Sequence, residues 1–191
     1  MRLFVAVYPP VGAIDHLARR LADLRVAVPG ADVRLAVPDD MHVTLAFLGD
    51  VEDGRLPDVQ MALDTAARTW RPADCGAEPA RLRLGGEGTF VGARSTVLWC
   101  GVTGDAAALR RLADTVRREL AAAGLPCDPR PFRPHLTLAR VRAEPAPGAL
   151  AADRATLDRY AGPPWTLNRM ALMSSHTDRR PRYRREADWG L

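Results

Sequence analysis

Apolar and polar positions alternate along the chain in two distinct periods. Residues 2–7 form a short apolar stretch that stops at Pro9-Pro10 and predicts a strand. Ile14, Leu17, Leu21 and Leu24 then recur at helical spacing, predicting a helix over 10–26 that starts at proline. Strands are predicted at 33–37 and 41–48, the second closed by Gly49-Asp50, and a helix at 54–69. Strands at 80–84 and 96–102 flank Gly85-Gly86-Glu87-Gly88, which reads as a loop. Asp105 is a candidate N-cap for a helix to about 123, whose face is Leu109, Leu112, Val116 and Leu120 and whose end is Gly124. After the proline-stiffened stretch 129–134 come a strand at 135–141, a surface loop at 143–148, a helix near 149–160 and strands near 166–175 and 181–188.

The pattern repeats once. The strand at 3–7 leads through a helix to Met41-His42-Val43-Thr44-Leu45, and the strand at 97–102 leads through a helix to Pro134-His135-Leu136-Thr137-Leu138. Val5 and His42 are 37 positions apart, and Trp99 and His135 are 36 apart. Two strand–helix–strand units of matched length, each ending in His-x-Thr-Leu, imply halves related by a pseudo-twofold axis.

Composition narrows the class. In 191 residues, 47% are hydrophobic and 26% charged, which excludes a disordered chain, a collagen-like repeat and a coiled coil. No apolar run reaches the roughly 20 residues that span a bilayer, so no membrane association is expected. The opening residues are too short an apolar run for a signal peptide. Cys75, Cys100 and Cys127 are widely spaced and odd in number, the pattern of reduced thiols in a cytoplasmic protein. The net charge is +4, and all 27 basic residues are arginine. Mild basicity permits an anionic partner, and the guanidinium fork suits phosphate.

The His-x-Thr-Leu motif carries the chemistry. With a strand period of two, His42 and Thr44 point to one face and Val43 and Leu45 to the other, and His135 and Thr137 do the same. If the halves are related by a twofold, both polar pairs face one cleft. Around a phosphodiester, one neutral imidazole accepts a proton from the nucleophile and one imidazolium donates a proton to the leaving oxygen. The threonine hydroxyls donate to non-bridging phosphate oxygens. The scheme needs no metal or other cofactor. Two equivalent motifs leave open which histidine plays which part. A non-catalytic nucleotide- or RNA-binding module is the competing class, and the intact His/Thr pairs argue against it.

These motifs, together with Arg2-Leu3-Phe4-Val5-Ala6-Val7, Val97-Leu98-Trp99, Pro131-Phe132-Arg133, Met173-Ser174-Ser175 and Pro181-Arg182-Tyr183, resemble the 2H phosphoesterase superfamily. The likeness is greatest to its RNA 2′,3′-cyclic phosphodiesterases, also called 2′-5′ RNA ligases. The resemblance implies one two-lobed α+β domain over residues 1–191, with two antiparallel sheets facing a central cleft and helices outside. It implies hydrolysis of RNA-terminal 2′,3′-cyclic phosphate to a 2′-phosphomonoester, with His42 as proton donor and His135 as proton acceptor. Run in reverse, the same cleft would join a cyclic phosphate end to a 5′-hydroxyl end. The expected partners are RNA ends with a cyclic phosphate, such as tRNA fragments or small nucleotides, and a monomer is expected.

Other positions are weaker. Arg133, Arg140 and Arg94 are candidate phosphate ligands, although strand parity sets Arg140 opposite to His135 unless the strand bends. Phe132 is the candidate for stacking on a base, whereas parity sends Phe47 to the core. His16 is expected to face solvent, and His176 is given no catalytic part. The arginines at 179, 180, 182, 184 and 185 form either a solvated strand edge or an RNA-tracking face. Gly85–Gly88 lacks the spacing and the lysine of a triphosphate cradle.

Overall fold

The computed structural model describes residues 1–28, 32–71, 79–176 and 181–191. Cys75, Arg179 and Arg180 lie outside the described residues. The strands are β1 (Arg2–Val7), β2 (Val33–Leu35), β3 (Val43–Asp50), β4 (Arg81–Val91), β5 (Thr96–Gly104), β6 (His135–Val141), β7 (Trp165–Thr166), β8 (Arg169–Ser175) and β9 (Tyr183–Gly190). The helices are α1 (Val11–Leu21), α2 (Leu56–Thr69), α3 (Ala106–Ala122) and α4 (Ala149–Asp158). No helix among the described residues is long and apolar enough to cross a membrane.

The fold is α+β, and every strand pairing is antiparallel. Among the described residues the strands run in the order β7-β4-β5-β6-β3-β1-β8-β9, with β2 on β6. Cut between β6 and β3, this path gives two four-strand halves. Instead of two separate sheets, one hydrogen-bonded path crosses a seam that has a single registered pair, Val43 with Leu136. The seam is that short because β2 takes the edge of β6 further along, pairing Val33, Arg34 and Leu35 with Val141, Arg140 and Ala139.

Helices cover one face. α1 buries Ala13, Ile14, Leu17 and Leu21, and α3 buries Leu109, Leu112, Val116 and Leu120. Each such leucine, fully buried, contributes about 1.5–3 kcal/mol relative to exposure. β1 is buried on both sides. Leu3, Val5 and Val7 join the main core, while Phe4 and Ala6 pack with Ala171 and Met173 on the other face.

Three expectations change. The first helix stops at Leu21, and a separate 3₁₀ turn forms at Arg25–Ala27. The carboxylate of Asp153, buried in α4, accepts the backbone N–H groups of Arg25 and Val26 at 2.8 and 2.9 Å and draws the chain off the helix axis. Asp105 stands at the start of α3 but caps no α3 donor; its side chain accepts the Arg81 N–H at 2.8 Å. Gly85–Gly88 is not a loop. It lies within β4, where a bulge between Leu84 and Glu87 is accommodated by Gly86 at φ 79°. Gly88 faces Trp99, and a Cβ there would fall 2.0 Å from the indole. The glycines make room for a ring that supports the site.

Gly88→Ala is therefore expected to push Trp99 out of its seat and to cost about 1–3 kcal/mol by overpacking. Urea unfolding together with tryptophan fluorescence checks this; an unchanged midpoint would show that the ring moves without cost.

Candidate active site

His42 immediately precedes β3 and His135 opens β6. The Val43–Leu136 pair fixes their relation. Extending its antiparallel register by one residue each way sets His42 opposite Thr137 and Thr44 opposite His135. All four side chains line one cleft of about 1210 Å³.

The two imidazoles are held alike. His42 Nδ1 lies 2.7 Å from the Asp40 carbonyl oxygen, and His135 Nδ1 lies 2.7 Å from that of Arg133. A carbonyl only accepts, so each Nδ1 carries hydrogen and donates it. Nε2 is left as the nitrogen available to the cleft. The Asp40 carbonyl is presented by the 3₁₀ turn Pro38–Asp40, and the Arg133 carbonyl by the proline-flanked stretch before β6.

Aromatic rings wall both histidines. Phe4 stacks on His42 at 4.8 Å, and Tyr183 meets it edge-on at 5.2 Å. Phe90 meets His135 edge-on at 4.8 Å, with Trp99 at 5.9 Å. This burial disfavours the charged imidazolium. It lowers the His42 pKa to about 4, against the hydrogen bond to Asp40; charges on His135 and Arg182 lower it further. Burial lowers the His135 pKa too, and the Arg133 carbonyl partly offsets it. Both rings are mainly neutral at pH 7 in the empty cleft.

The sequence-predicted residues divide as follows. Phe132, Arg133 and Arg140 line the cleft with the His/Thr pairs. Arg94 does not: it is exposed in the turn between β4 and β5, away from the cleft lining. His176 lies outside the lining and has Ser174 Oγ at 3.2 Å from Nε2. Of the C-terminal arginines, Arg182 lines the cleft, while Arg184 pairs with Glu186 at 2.9 Å. His16 is half-buried rather than solvent-facing, with Nδ1 2.9 Å from the Tyr160 hydroxyl.

Phe47 is the main position that parity misplaced. Between the pairs Ala6–Thr44 and Val5–Ala46 the register shifts, leaving Leu45 as an extra residue. Between Trp99–Thr137 and Leu98–Ala139 the same shift leaves Leu138 extra. The last residue of each His-x-Thr-Leu motif is thus a bulge, and a bulge resets parity. Phe47 and Arg140, each five residues after a motif histidine, both turn into the cleft. The Arg2 guanidinium lies 5.1 Å over the Phe47 ring. Arg117, reaching in from α3, donates Nε to the Leu45 carbonyl at 3.3 Å and a terminal nitrogen to the Arg130 carbonyl at 2.8 Å. It ties the bulge to the segment that carries Phe132, whose ring lies 5.9 Å from its guanidinium carbon.

Comparison with known proteins agrees with this geometry. Residues 13–179 match the family model of the 2′-5′ RNA ligase superfamily. The chain is 35% identical over 126 residues to an RNA 2′,3′-cyclic phosphodiesterase of Aeropyrum pernix, covering 64% of this chain and 66% of that protein. It is 33% identical over 147 residues to one of Geobacillus stearothermophilus, covering 76% of this chain and 43% of that protein. Less than two thirds of each of these two relatives is thus spanned. The crystal structure of E. coli LigT complexed with 3′-AMP superposes with a TM-score of 0.74 at 26% identity, covering 100% of this chain and 97% of that one. With both His-x-Thr-Leu motifs on one cleft and the family model matched over most of its length, the chain belongs to the 2′-5′ RNA ligase superfamily.

Proposed function

We propose that the protein hydrolyses the 2′,3′-cyclic phosphate at an RNA end to a 2′-phosphomonoester, by two-histidine acid–base catalysis without a metal. The observation that carries this is the pair of matched imidazoles, each tied by Nδ1 to the carbonyl two residues earlier and each lining the same cleft. The names of the relatives, RNA 2′,3′-cyclic phosphodiesterase, support the substrate class.

His135 Nε2 takes a proton from water as the water oxygen attacks phosphorus. The bond from phosphorus to O3′ breaks, and His42 gives its proton to O3′. Thr44 and Thr137 donate hydrogen bonds to the non-bridging oxygens as charge builds on them. Arg133, which lines the cleft, offsets the charge of the reacting phosphate. In reverse, a 5′-hydroxyl replaces water and the histidines exchange parts, giving a 2′-5′ linkage. The two four-strand halves act as lobes of a single domain that grips the RNA end between them.

The substrate supplies the proton's stability. Charging His42 in the empty cleft costs about 3 kcal/mol more than in water, given a pKa near 4. A phosphate anion at ~4 Å returns about 4 kcal/mol at the effective dielectric near a protein surface. The acid therefore becomes competent as the anion binds.

Single His42→Ala and His135→Ala variants are each expected to lose about 10²–10⁴-fold in kcat on an oligoribonucleotide ending in a 2′,3′-cyclic phosphate, with chelator present throughout. Full activity in both variants would refute the mechanism, and a 3′-phosphate product would refute the assignment of the broken bond.

The pH dependence has a defined direction. Both histidine pKa values lie below the ordinary 6.5 in the free protein, His42 at about 4, so the one-proton form is most populated on the acid side of pH 6.5. The kcat/KM profile is expected to be a bell centred on the acid side of pH 6.5. The kcat profile is expected to shift to higher pH, because the bound anion raises both values. Steady-state kinetics from pH 4 to 9 tests both; a profile flat across pH 4–7 would exclude the two histidines as the acid and base.

A further inference from the structure

Arg34 of β2 and Arg140 of β6 are direct register partners across an antiparallel pair. Both are exposed, and both line the cleft. Neither has an ion pair or a hydrogen-bonding side-chain partner among the described residues. Like charges placed directly opposite on one sheet face destabilise the pairing. Two residues further along the same edge, past Val33 and Val141, the arrangement differs. There Arg142 has Asp32 beside it, with nitrogen and carboxylate oxygen 3.7 Å apart. Among the described residues the edge thus neutralises its outer arginine and leaves the inner two, nearer the histidines, uncompensated. The neighbouring residues 29–31, Pro-Gly-Ala, carry no charge.

The location of the pair is set by the Leu138 bulge. Without it Arg140 would face away from His135; with it, Arg140 and Thr137 share the cleft face. One residue is absorbed by the bulge, so Arg140 stands two positions along the strand from Thr137, or about 7 Å at ~3.3 Å per residue. That is close to the repeat of phosphates along a nucleic-acid strand. Two guanidinium forks side by side supply several planar N–H donors, the geometry that phosphate oxygens accept.

We propose that Arg34 and Arg140 form a second phosphate subsite, which holds the 5′-phosphate of the nucleotide whose ribose bears the cyclic phosphate. This rests on the phosphodiesterase reading above and deepens it. In RNA that 5′-phosphate is the link to the rest of the strand, so the subsite selects a strand end over a free nucleoside cyclic phosphate. The contact positions the strand and reads no base.

The test separates binding from turnover by using stable ligands. Adenosine 2′-monophosphate and adenosine 2′,5′-bisphosphate differ only by the phosphate in question. Calorimetry is expected to show the wild-type protein binding the bisphosphate about tenfold more tightly. Arg34→Gln is expected to bring the two ligands within about twofold of each other, while Arg142→Gln keeps the tenfold difference. Arg34→Gln removes a repulsion, so it is expected to fold at least as stably as the wild type, which thermal melting checks. Equal binding of the two ligands by the wild type, or a tenfold difference that survives Arg34→Gln, would overturn the subsite. Turnover of a cyclic-phosphate oligonucleotide by the same preparations is scored separately. A protein that shows the tenfold difference and turns over no cyclic phosphate keeps the subsite and loses the hydrolytic reading.

Discussion

One backbone pairing governs the rest of the molecule: Val43 against Leu136 at the seam between β3 and β6. Both residues are fully buried apolar side chains, so the register is held by the core beneath it. A slip of one residue would turn the His/Thr pair of the strand that moved into that core and its apolar residue into the cleft. The energetic cost of such a slip, several buried aliphatic side chains at about 1.5–3 kcal/mol each, far exceeds what any polar contact in the cleft supplies. The reactive geometry is thus enforced from below, by packing, and not by bonds among the reactive groups.

The same packing sets the electrostatics. Phe4, Tyr183, Phe90 and Trp99 crowd the imidazoles, and the desolvation they impose keeps the rings neutral while the cleft is empty. Arginine charge around the cleft works in the same direction on His42. In the proposed mechanism a bound anion reverses this balance locally, and the imidazolium forms where phosphate is present. The glycines of β4 belong to this arrangement, because Gly88 leaves the space that Trp99 fills.

The bulged leucines give the cleft its breadth. Leu45 and Leu138 each add one residue after a His-x-Thr triplet, so the side chain five positions beyond each histidine rejoins the cleft face. In one half that side chain is Phe47 beneath Arg2; in the other it is Arg140 beside Arg34. The backbone is pseudo-symmetric and its decoration is not. One side offers a ring capped by a cation and the other offers two cations, a difference suited to a ligand whose two ends differ chemically.

Much of this was legible in the sequence. The duplicated motif, its matched spacing and the strand period were enough to pair His42 with Thr44 and His135 with Thr137 and to anticipate a shared cleft, because those inferences use only local periodicity. The helical faces of α1 and α3 were legible for the same reason. Phe47, Arg34 and the strand character of Gly85–Gly88 were not. Each depends on a register between segments far apart in the chain: a bulge opposite β1, a partner on β6, an indole on β5. Asp153 ending the first helix is of the same kind, a carboxylate from α4 that satisfies donors 127 and 128 residues earlier. The sequence by itself determined which side chains alternate and which ones share a face with each motif histidine, since those follow from the fixed geometry of a single strand or helix. Only the tertiary structure decided where alternation breaks and which charges find a partner, since bulges and ion pairs are properties of two segments meeting.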